Sequence, residues 1–240
     1  MKQLSLKASR RRLANFECIE VMPEDTTFDP DQHLTLIMFH GYGADAHDLA
    51  SLAFETPTKK PVHWLFVQGP LAVPIGPGHE GRAWWPIDIS RLQRAASQVE
   101  DYNLSEVEPP ALTPLRPKIF ELIKQLRKPW SQIALGGFSQ GAMLATDIYL
   151  HAPENPAGLT ILSGTMICQK KWTELVAQRA KHKFFQSHGH SDQVLAYKYA
   201  QKLETFLTQN GLKGHLDSFQ GGHEIPAQVI QKLGSYLSDL

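Results

Sequence analysis

The order of short apolar segments constrains the fold of this 240-residue chain more than any other feature of the sequence. These segments are rich in Leu, Ile and Phe and alternate little with polar residues, as is typical of strands buried on both faces of a parallel sheet. They predict strands at residues 35–39, 63–67, 133–135, 159–162, 183–187 and 215–219. We expect a further strand at 16–22, at the edge of the sheet.

Helical patterns lie between and after these strands. Apolar residues recur on one helical face in the stretches 115–126, 195–207 and 225–237, which is typical of helices that pack against a core. Strands that alternate with amphipathic helices predict a doubly wound α/β fold, with a mostly parallel central sheet and helices on both of its faces. A chain of this length can bury its core as one unit, so we expect a single domain that spans residues 1–240.

One interval between predicted strands is too long for this repeat. The chain uses far more residues between His63 and Ile133 than the ~30 that one βα unit needs, and the predicted helix at 115–127 accounts for only part of the surplus. Long connections in compact domains are usually functional lids or disordered segments. We interpret residues 69–113 as an inserted, lid-like segment.

Two features of this inserted segment (69–113) suggest a function. Trp84 and Trp85 are adjacent, which argues against disorder, and either they belong to the core or they form a wall of a substrate pocket. Further along, apolar residues at helical spacing suggest a short helix, and we hypothesise that it is a movable cap over a substrate chain. Those residues are Leu92, Ala95, Ala96 and Val99.

The charge balance and the basic residues near position 1 bear on whether the chain binds nucleic acid or a membrane. The 24 Lys and Arg residues equal the 24 Asp and Glu residues, so no bulk charge favours nucleic acid or an anionic membrane. No apolar stretch is long enough to span a bilayer. The basic residues within 2–12 lack the apolar region of a targeting peptide, and we interpret them as a solvated lead-in to the first strand. We expect no nucleic-acid partner and no stable membrane insertion.

The two cysteines indicate the compartment. Cys18 and Cys168 are far apart in the sequence and lack the spacing of a metal site or a C-x-x-C motif. Free thiols of this kind are typical of a reducing environment. We therefore expect a cytoplasmic protein without a disulfide.

The strongest chemical motif follows the strand at 133–135. Residues 137–141 read Gly-Phe-Ser-Gln-Gly and lead into an apolar helical stretch, as in the G-x-S-x-G nucleophile elbow between a strand and a helix. Glycines permit the sharp turn and the close packing of the helix on the strand. The pattern makes Ser139 a candidate nucleophile, and the alternative is a buried serine in a tight turn.

A serine nucleophile needs a base and a group that orients the base. Asp192 and His223 each follow a predicted strand, at the carboxyl edge of the sheet where ligand sites gather. The order Ser139, Asp192, His223 is the order found in α/β-hydrolases. Three further carboxylates are alternatives for the orienting acid, although the last of them lies within the final predicted strand: Asp45, Asp48 and Asp217.

Other histidines near these strand ends also need an interpretation. His40 directly follows a buried strand, where a hydrogen-bonded structural histidine is favoured over a second catalytic base. His188 and His190 could form a metal site with Asp192, but the further ligands that such a site requires are absent. We expect neither a metal nor a cofactor.

Acyl transfer also needs backbone N–H groups aimed at the developing oxyanion. Gln140, the residue after the candidate nucleophile, supplies one such amide. The loop at 40–45 follows the strand at 35–39 and reads His-Gly-Tyr-Gly-Ala-Asp. We predict that the amide of Tyr42 in this loop is the second donor.

With these motifs in place, the sequence resembles a known family, the bacterial carboxylesterases and acyl-protein thioesterases of the α/β-hydrolase superfamily. It is also called the phospholipase/carboxylesterase family. The resemblance implies an α/β-hydrolase fold and gives Ser139, His223 and Asp192 the roles of nucleophile, base and orienting acid, with the Tyr42 and Gln140 amides as oxyanion donors. The matching pieces follow the family's order at 39–43, 82–86, 136–141, His188-Gly189 with Asp192, and Gly222-His223.

These observations predict a serine carboxylesterase that cleaves ester or thioester bonds of small to medium acyl chains through an acyl-enzyme, with Trp84 and Trp85 in substrate binding. The same triad serves an acyl-protein thioesterase or a lysophospholipase, because loops read the leaving group. A non-catalytic ligand-binding protein of the hydrolase fold is the alternative from another class. Between a monomer and a homodimer the sequence does not decide.

Overall fold

The elements of the fold follow the predicted alternation of strands and helices. The computed structural model describes residues 5–88, 90, 94, 97 and 102–240. Its strands are β1 (Leu6–Leu13), β2 (Phe16–Pro23), β3 (Thr35–Phe39), β4 (His63–Val67), β5 (Leu71–Gly76), β6 (His79–Ala83), β7 (Ile133–Phe138), β8 (Gly158–Leu162), β9 (Phe184–Gly189) and β10 (Leu216–Phe219). Its helices are α1 (Ala46–Ala50), α2 (Leu52–Glu55), α3 (Leu112–Gln125), α4 (Gln140–His151), α5 (Gln169–Leu175), α6 (Tyr197–Gln209) and α7 (Ala227–Ser238).

The central sheet has eight strands in the order β1-β2-β4-β3-β7-β8-β9-β10. The strands from β4 to β10 in this order run parallel, whereas β1 pairs antiparallel with β2 and β2 pairs antiparallel with β4. Every residue of β3, β4 and β8 is buried, as expected for apolar runs that do not alternate. The predicted α/β class with a mostly parallel sheet is confirmed.

Helices cover both faces of the sheet, also as predicted. Along β3, Ile37 and Phe39 face the hydrophobic cluster that includes residues of α3, α4, α5 and α6, whereas Leu36 and Met38 face the cluster that includes residues of α1, α2 and α7. Successive side chains of a strand point to opposite faces. A strand buried on both sides therefore has to be apolar at consecutive positions.

The basic N-terminal stretch differs from the prediction. It forms β1, so the strand at 16–22 is second in the sheet and the expectation that it forms the edge is wrong. Ala14 and Asn15 have φ values of 46° and 70°, as in the two-residue turns that match the twist of a hairpin. Most of β1 is exposed, and basic side chains are common on edge strands because they discourage pairing with a further strand.

The inserted segment (69–113) begins with a hairpin that the sequence did not predict. β5 and β6 pair antiparallel in a separate two-stranded sheet, and α3 begins at Leu112. The hypothetical cap helix with Leu92, Ala95, Ala96 and Val99 lies outside the described residues. Across the part of the chain that is described, no helix has the length and apolarity that a membrane crossing requires.

Candidate active site

The turn from β7 into α4 holds Ser139 in an unusual backbone conformation. Its φ and ψ angles are 55° and −120°, a strained region that a residue other than glycine adopts only where its surroundings force it. The flanking glycines explain how the turn packs, because a Cβ at Gly141 would overlap the Phe39 carbonyl and one at Gly137 would overlap the backbone of Gly141. The Ser139 amide donates to the Leu162 carbonyl oxygen at 2.9 Å. The elbow is thus held by backbone contacts with β3 and β8.

His223 and Asp192 meet in the loops that follow β10 and β9. The distance from His223 Nδ1 to Asp192 Oδ2 is 2.7 Å. The Asp192 side chain is fully buried, while 17% of the His223 side chain is exposed. The other carboxylate oxygen, Oδ1, accepts the backbone N–H groups of Val194 and Leu195, each at 2.8 Å. These two backbone hydrogen bonds hold the Asp192 carboxylate in the position from which it contacts the imidazole of His223.

His188 is a further partner of this carboxylate. Its Nε2 lies 3.2 Å from Asp192 Oδ2 and 2.7 Å from the Leu195 carbonyl oxygen, and its side chain is fully buried. Burial raises the pKa of Asp192, but hydrogen bonds from His188 and His223 outweigh it and hold this pKa far below its ordinary range. The carboxylate stays ionised and can stabilise a charged His223.

The sequence did not reveal this role of His188. In the sequence, His188 was a possible metal ligand and part of a motif shared with the family, although its position at the end of a strand, four residues before Asp192, is a signal for such a contact. Among the residues that the structure describes, no group of three or more His, Cys, Asp or Glu side chains is arranged to hold a metal ion.

The alternative carboxylates have other partners. Asp45 and Asp48 form a capping box at the start of α1, which satisfies the free amides of that helix end. Asp217 lies in β10 and forms an ion pair with Lys232. Of the carboxylates considered from the sequence, Asp192 is the one in contact with His223.

His40 has the features of a structural histidine. Its Nε2 accepts the Gly69 N–H at 2.9 Å, and its Nδ1 donates to the Gly41 carbonyl oxygen at 2.7 Å. Burial lowers the pKa of His40, which favours the neutral ring that this pair of contacts requires. The contacts tie the loop after β3 to the start of the inserted segment.

Ser139 and His223 open onto one cavity of about 730 Å³. Tyr42 and Gln140, the residues with the predicted oxyanion amides, line the same cavity. Apolar side chains form much of its wall, several of them from the inserted segment, and they include Trp85, Ile87, Leu104, Val107, Met143 and Ile167. An apolar cavity lined by a serine and a histidine suits a substrate with a hydrocarbon chain.

The loop that carries Tyr42 is fixed against β6. The Gly43 amide donates to the Arg82 carbonyl at 2.8 Å, and the Arg82 amide donates to the Ala44 carbonyl at 2.9 Å. A Cβ at Gly81 would overlap the backbone of Gly43, so the two segments pack at the closest approach that glycine permits. The hairpin of the inserted segment thus supports the predicted oxyanion loop.

The two adjacent tryptophans have different environments. Trp85 lines the cavity, whereas Trp84 is not among the lining residues and packs against Phe39 and His40, with ring centroids 5.2 Å away in both contacts. The indole N–H of Trp84 donates to the His40 carbonyl at 2.8 Å. The geometry therefore separates the pair that the sequence had grouped as substrate-binding, with Trp84 in the core and Trp85 at the pocket.

Comparisons with known proteins show which sequences this chain is similar to. The family model described as phospholipase/carboxylesterase matches residues 27–240. Acyl-protein thioesterase 1 of Eremothecium gossypii is 30% identical over 203 residues, which cover 81% of this chain and 82% of that protein.

Solved structures resemble the fold at lower identity. A carboxylesterase from Mesorhizobium loti superposes with a TM-score of 0.70 at 15% identity, over 97% of this chain and 99% of that chain. A carboxylesterase from Bacillus cereus has a TM-score of 0.63 at 16% identity, over 98% of this chain and 94% of that chain. At these identities the likeness concerns the fold, and it is that of an α/β-hydrolase.

Proposed function

The chain belongs to the phospholipase/carboxylesterase family, and from this membership we propose that it hydrolyses carboxylic esters or thioesters through an acyl-enzyme on Ser139. The observation that carries the proposal is that His223, which is hydrogen-bonded to Asp192, shares one cavity with a serine at a strained elbow. Ser139 and His223 open onto the same apolar cavity. This combination has the parts that nucleophilic acyl transfer needs.

The acylation step begins at the Ser139 hydroxyl. Its Oγ attacks the substrate carbonyl carbon while His223 Nε2 takes the hydroxyl proton, and Asp192 stabilises the imidazolium through Nδ1. The carbonyl oxygen becomes an oxyanion that accepts hydrogen bonds from the amides of Tyr42 and Gln140. When the tetrahedral intermediate collapses, the proton on His223 passes to the departing alcohol or thiol.

Deacylation repeats the same chemistry with water. His223 removes a proton from a water molecule that attacks the acyl-serine carbonyl, and the same two amides hold the second oxyanion. Cleavage of the ester bond returns the proton to Ser139 and releases a carboxylic acid. No redox step is involved, and each proton that His223 accepts is donated again.

The thiols do not compete with Ser139 for the role of nucleophile. Cys18 and Cys168 are buried and free, and burial raises the pKa of each thiol to about 12. A thiol with such a pKa is almost entirely protonated at neutral pH and reacts poorly. Because free thiols persist in reducing compartments, we include a cytoplasmic location in the proposal.

Substrate choice within the family has two candidates. The apolar cavity of about 730 Å³ suits a medium acyl chain, which supports a carboxylesterase. The relative named acyl-protein thioesterase 1 favours a thioester. A matched series of p-nitrophenyl esters and alkyl thioesters from C2 to C16, with lysophospholipids as a third set, distinguishes these activities by their kcat/KM values.

The test of the mechanism is the variant Ser139→Ala. We expect it to lose nearly all turnover of p-nitrophenyl butyrate and all labelling by a fluorophosphonate probe, while its Tm stays close to that of the wild type. Ser235→Ala, on the exposed side of α7, is the matched control and should keep both activities. Turnover or labelling that survives in Ser139→Ala would overturn the assignment. A wild-type protein that is neither labelled nor active would favour a non-catalytic binding protein.

A further inference from the structure

We propose that the side chain of Gln140 is a positioning group that locks the oxyanion hole to the wall of the acyl pocket. This inference rests on the proposed function, because it assigns a second role to a residue whose backbone amide is one of the proposed oxyanion donors. The nucleophile-elbow motif requires a backbone N–H at position 140. It does not explain why the side chain is a glutamine, since any residue other than proline supplies a backbone N–H.

The first observation is the pair of hydrogen bonds that the buried side chain makes. Gln140 Oε1 accepts the Trp84 N–H at 3.0 Å, and Gln140 Nε2 donates to the Trp85 carbonyl oxygen at 2.9 Å. Only 3% of the residue is exposed. A carboxamide is the side chain that offers an acceptor and a donor at this length. Gln140 therefore spans from the elbow to the backbone on both sides of the Trp84–Trp85 peptide bond.

The second observation is that the same short segment, residues 82–85, also holds the other half of the proposed oxyanion hole. Arg82 forms two backbone hydrogen bonds with the loop around Tyr42, through the Gly43 amide and the Ala44 carbonyl. The two amides that would bind the oxyanion are thus attached to one piece of backbone. One attachment is the backbone of Arg82 and the other is the side chain of Gln140.

This arrangement matters because oxyanion stabilisation depends on donors that are already in place when charge develops. The N-terminus of α4 and the loop after β3 belong to elements that are separated in the sequence. Small errors in the placement of catalytic groups are costly, and a shift of about 1 Å can reduce the rate about 100-fold. A side chain that fixes the elbow to residues 82–85 restricts such shifts. The same hydrogen bonds hold Trp85 at the cavity.

The principal test is Gln140→Met, which keeps the length and the backbone amide but removes both side-chain hydrogen bonds. We expect kcat for p-nitrophenyl butyrate to fall about 10- to 100-fold, less than the 10²- to 10³-fold loss that follows removal of a whole oxyanion donor. KM should change less than about 3-fold. Affinity for an alkyl boronic acid, whose serine adduct places an oxygen in the oxyanion hole, should fall in parallel with kcat, because both depend on the same donors.

A matched control separates positioning from general stability. Gln186 is a second buried glutamine, and its Nε2 donates to the Ala200 carbonyl at 2.8 Å. It does not line the cavity. Gln186→Met should lower the Tm but leave kcat and boronic acid affinity near the wild-type values.

Gln140→Glu gives a second readout that does not depend on how well the methionine variant folds. A protonated glutamic acid has the shape of glutamine and can restore both contacts, whereas the carboxylate cannot donate to the Trp85 carbonyl. Burial raises the pKa of a carboxyl group, so the protonated form is accessible at moderate pH. The ratio of the Gln140→Glu kcat to the wild-type kcat should rise as the pH falls.

The outcomes distinguish this inference from the proposed function. If Gln140→Met keeps a kcat within 2-fold of the wild type, or loses no more than Gln186→Met, the positioning role is wrong while Ser139 labelling still supports a hydrolase. A pH-independent ratio for Gln140→Glu would also contradict it. If wild-type Ser139 is not labelled, the proposed function fails first.

Discussion

The corner around Ser139, which holds the proposed catalytic residues, and the inserted segment (69–113) are built by different means. At the corner, backbone packs on backbone, since neither Gly137 nor Gly141 has room for a Cβ. The inserted segment reaches the cavity through side chains such as Trp85 and Val107, and its hairpin tip has open space around Gly76. Under the proposed function, the placement of Ser139 depends on the course of the main chain, whereas selection of the acyl chain depends on side chains.

The largest contrast should appear when the same substitution is made in both regions. Gly141→Ala puts a Cβ into the Phe39 carbonyl. Because the Cβ meets backbone atoms, no rotamer change can relieve the clash. We expect a loss of more than about 4 kcal/mol in the free energy of unfolding, or no folded protein. Gly76→Ala, whose Cβ meets nothing within 4 Å, should change it by less than about 0.5 kcal/mol. Urea denaturation measures both, and similar values would remove the contrast.

A large effect on activity without an effect on stability is expected at His223. Replacement by Ala removes the proposed base, and we expect kcat to fall by about 10⁴-fold or more. The buried Asp192 carboxylate keeps its contacts with His188 and two backbone amides, so the variant should stay folded with a modest fall in Tm. His47→Ala, an exposed position on α1, is the control and should keep wild-type kinetics. Steady-state assays that find a His223→Ala enzyme within 100-fold of the wild type would exclude it as the base.

Neighbouring residues of the inserted segment should respond in opposite ways. Trp85→Ala enlarges the cavity, so we expect kcat/KM for butyrate to fall about 10-fold and the preferred acyl chain to become longer, since a pocket contact is worth about 1–3 kcal/mol. Trp84→Ala leaves a hole in the core, and we expect a loss of about 3–5 kcal/mol in stability with no change in the preferred chain length. An ester series from C2 to C12 and urea denaturation, applied to both variants, check this. Equal shifts in chain length would contradict the separation.

The smallest effect is a pH dependence of stability at the corner. Although burial raises the pKa of Asp192, hydrogen bonds from His188 and His223 lower it below its ordinary value, which is about 3.9 in an unfolded chain. An acid with a lowered folded-state pKa contributes stability above about pH 5, and the contribution is lost as the pH falls through the folded-state pKa. The difference in the free energy of unfolding between the wild type and Asp192→Asn should therefore shrink below about pH 4. Urea denaturation at pH 7, 5, 4 and 3 measures this difference. A difference that grows as the pH falls would contradict the lowered pKa of Asp192.

Much of the fold could be read from local sequence. The bounds predicted for β3 and β4 are those of the structure, because an apolar run buried on both faces has a distinct composition. The basic strand β1 was missed, since an exposed edge strand lacks an apolar pattern. The hairpin of β5 and β6 was missed because its residues are largely exposed and rich in Gly and Pro.

The sequence by itself determined the α/β class, the elbow at 137–141 and the set of candidates Ser139, Asp192 and His223. These follow from patterns within a few residues and from their order along parallel strands, whose carboxyl ends share one edge. Only the tertiary structure decided that His188 contacts the acid, that Trp84 and Trp85 have different environments, and that Gln140 binds residues 84 and 85. Each of these depends on contacts between elements that the sequence keeps apart, and their distances are set by packing, which no local pattern encodes.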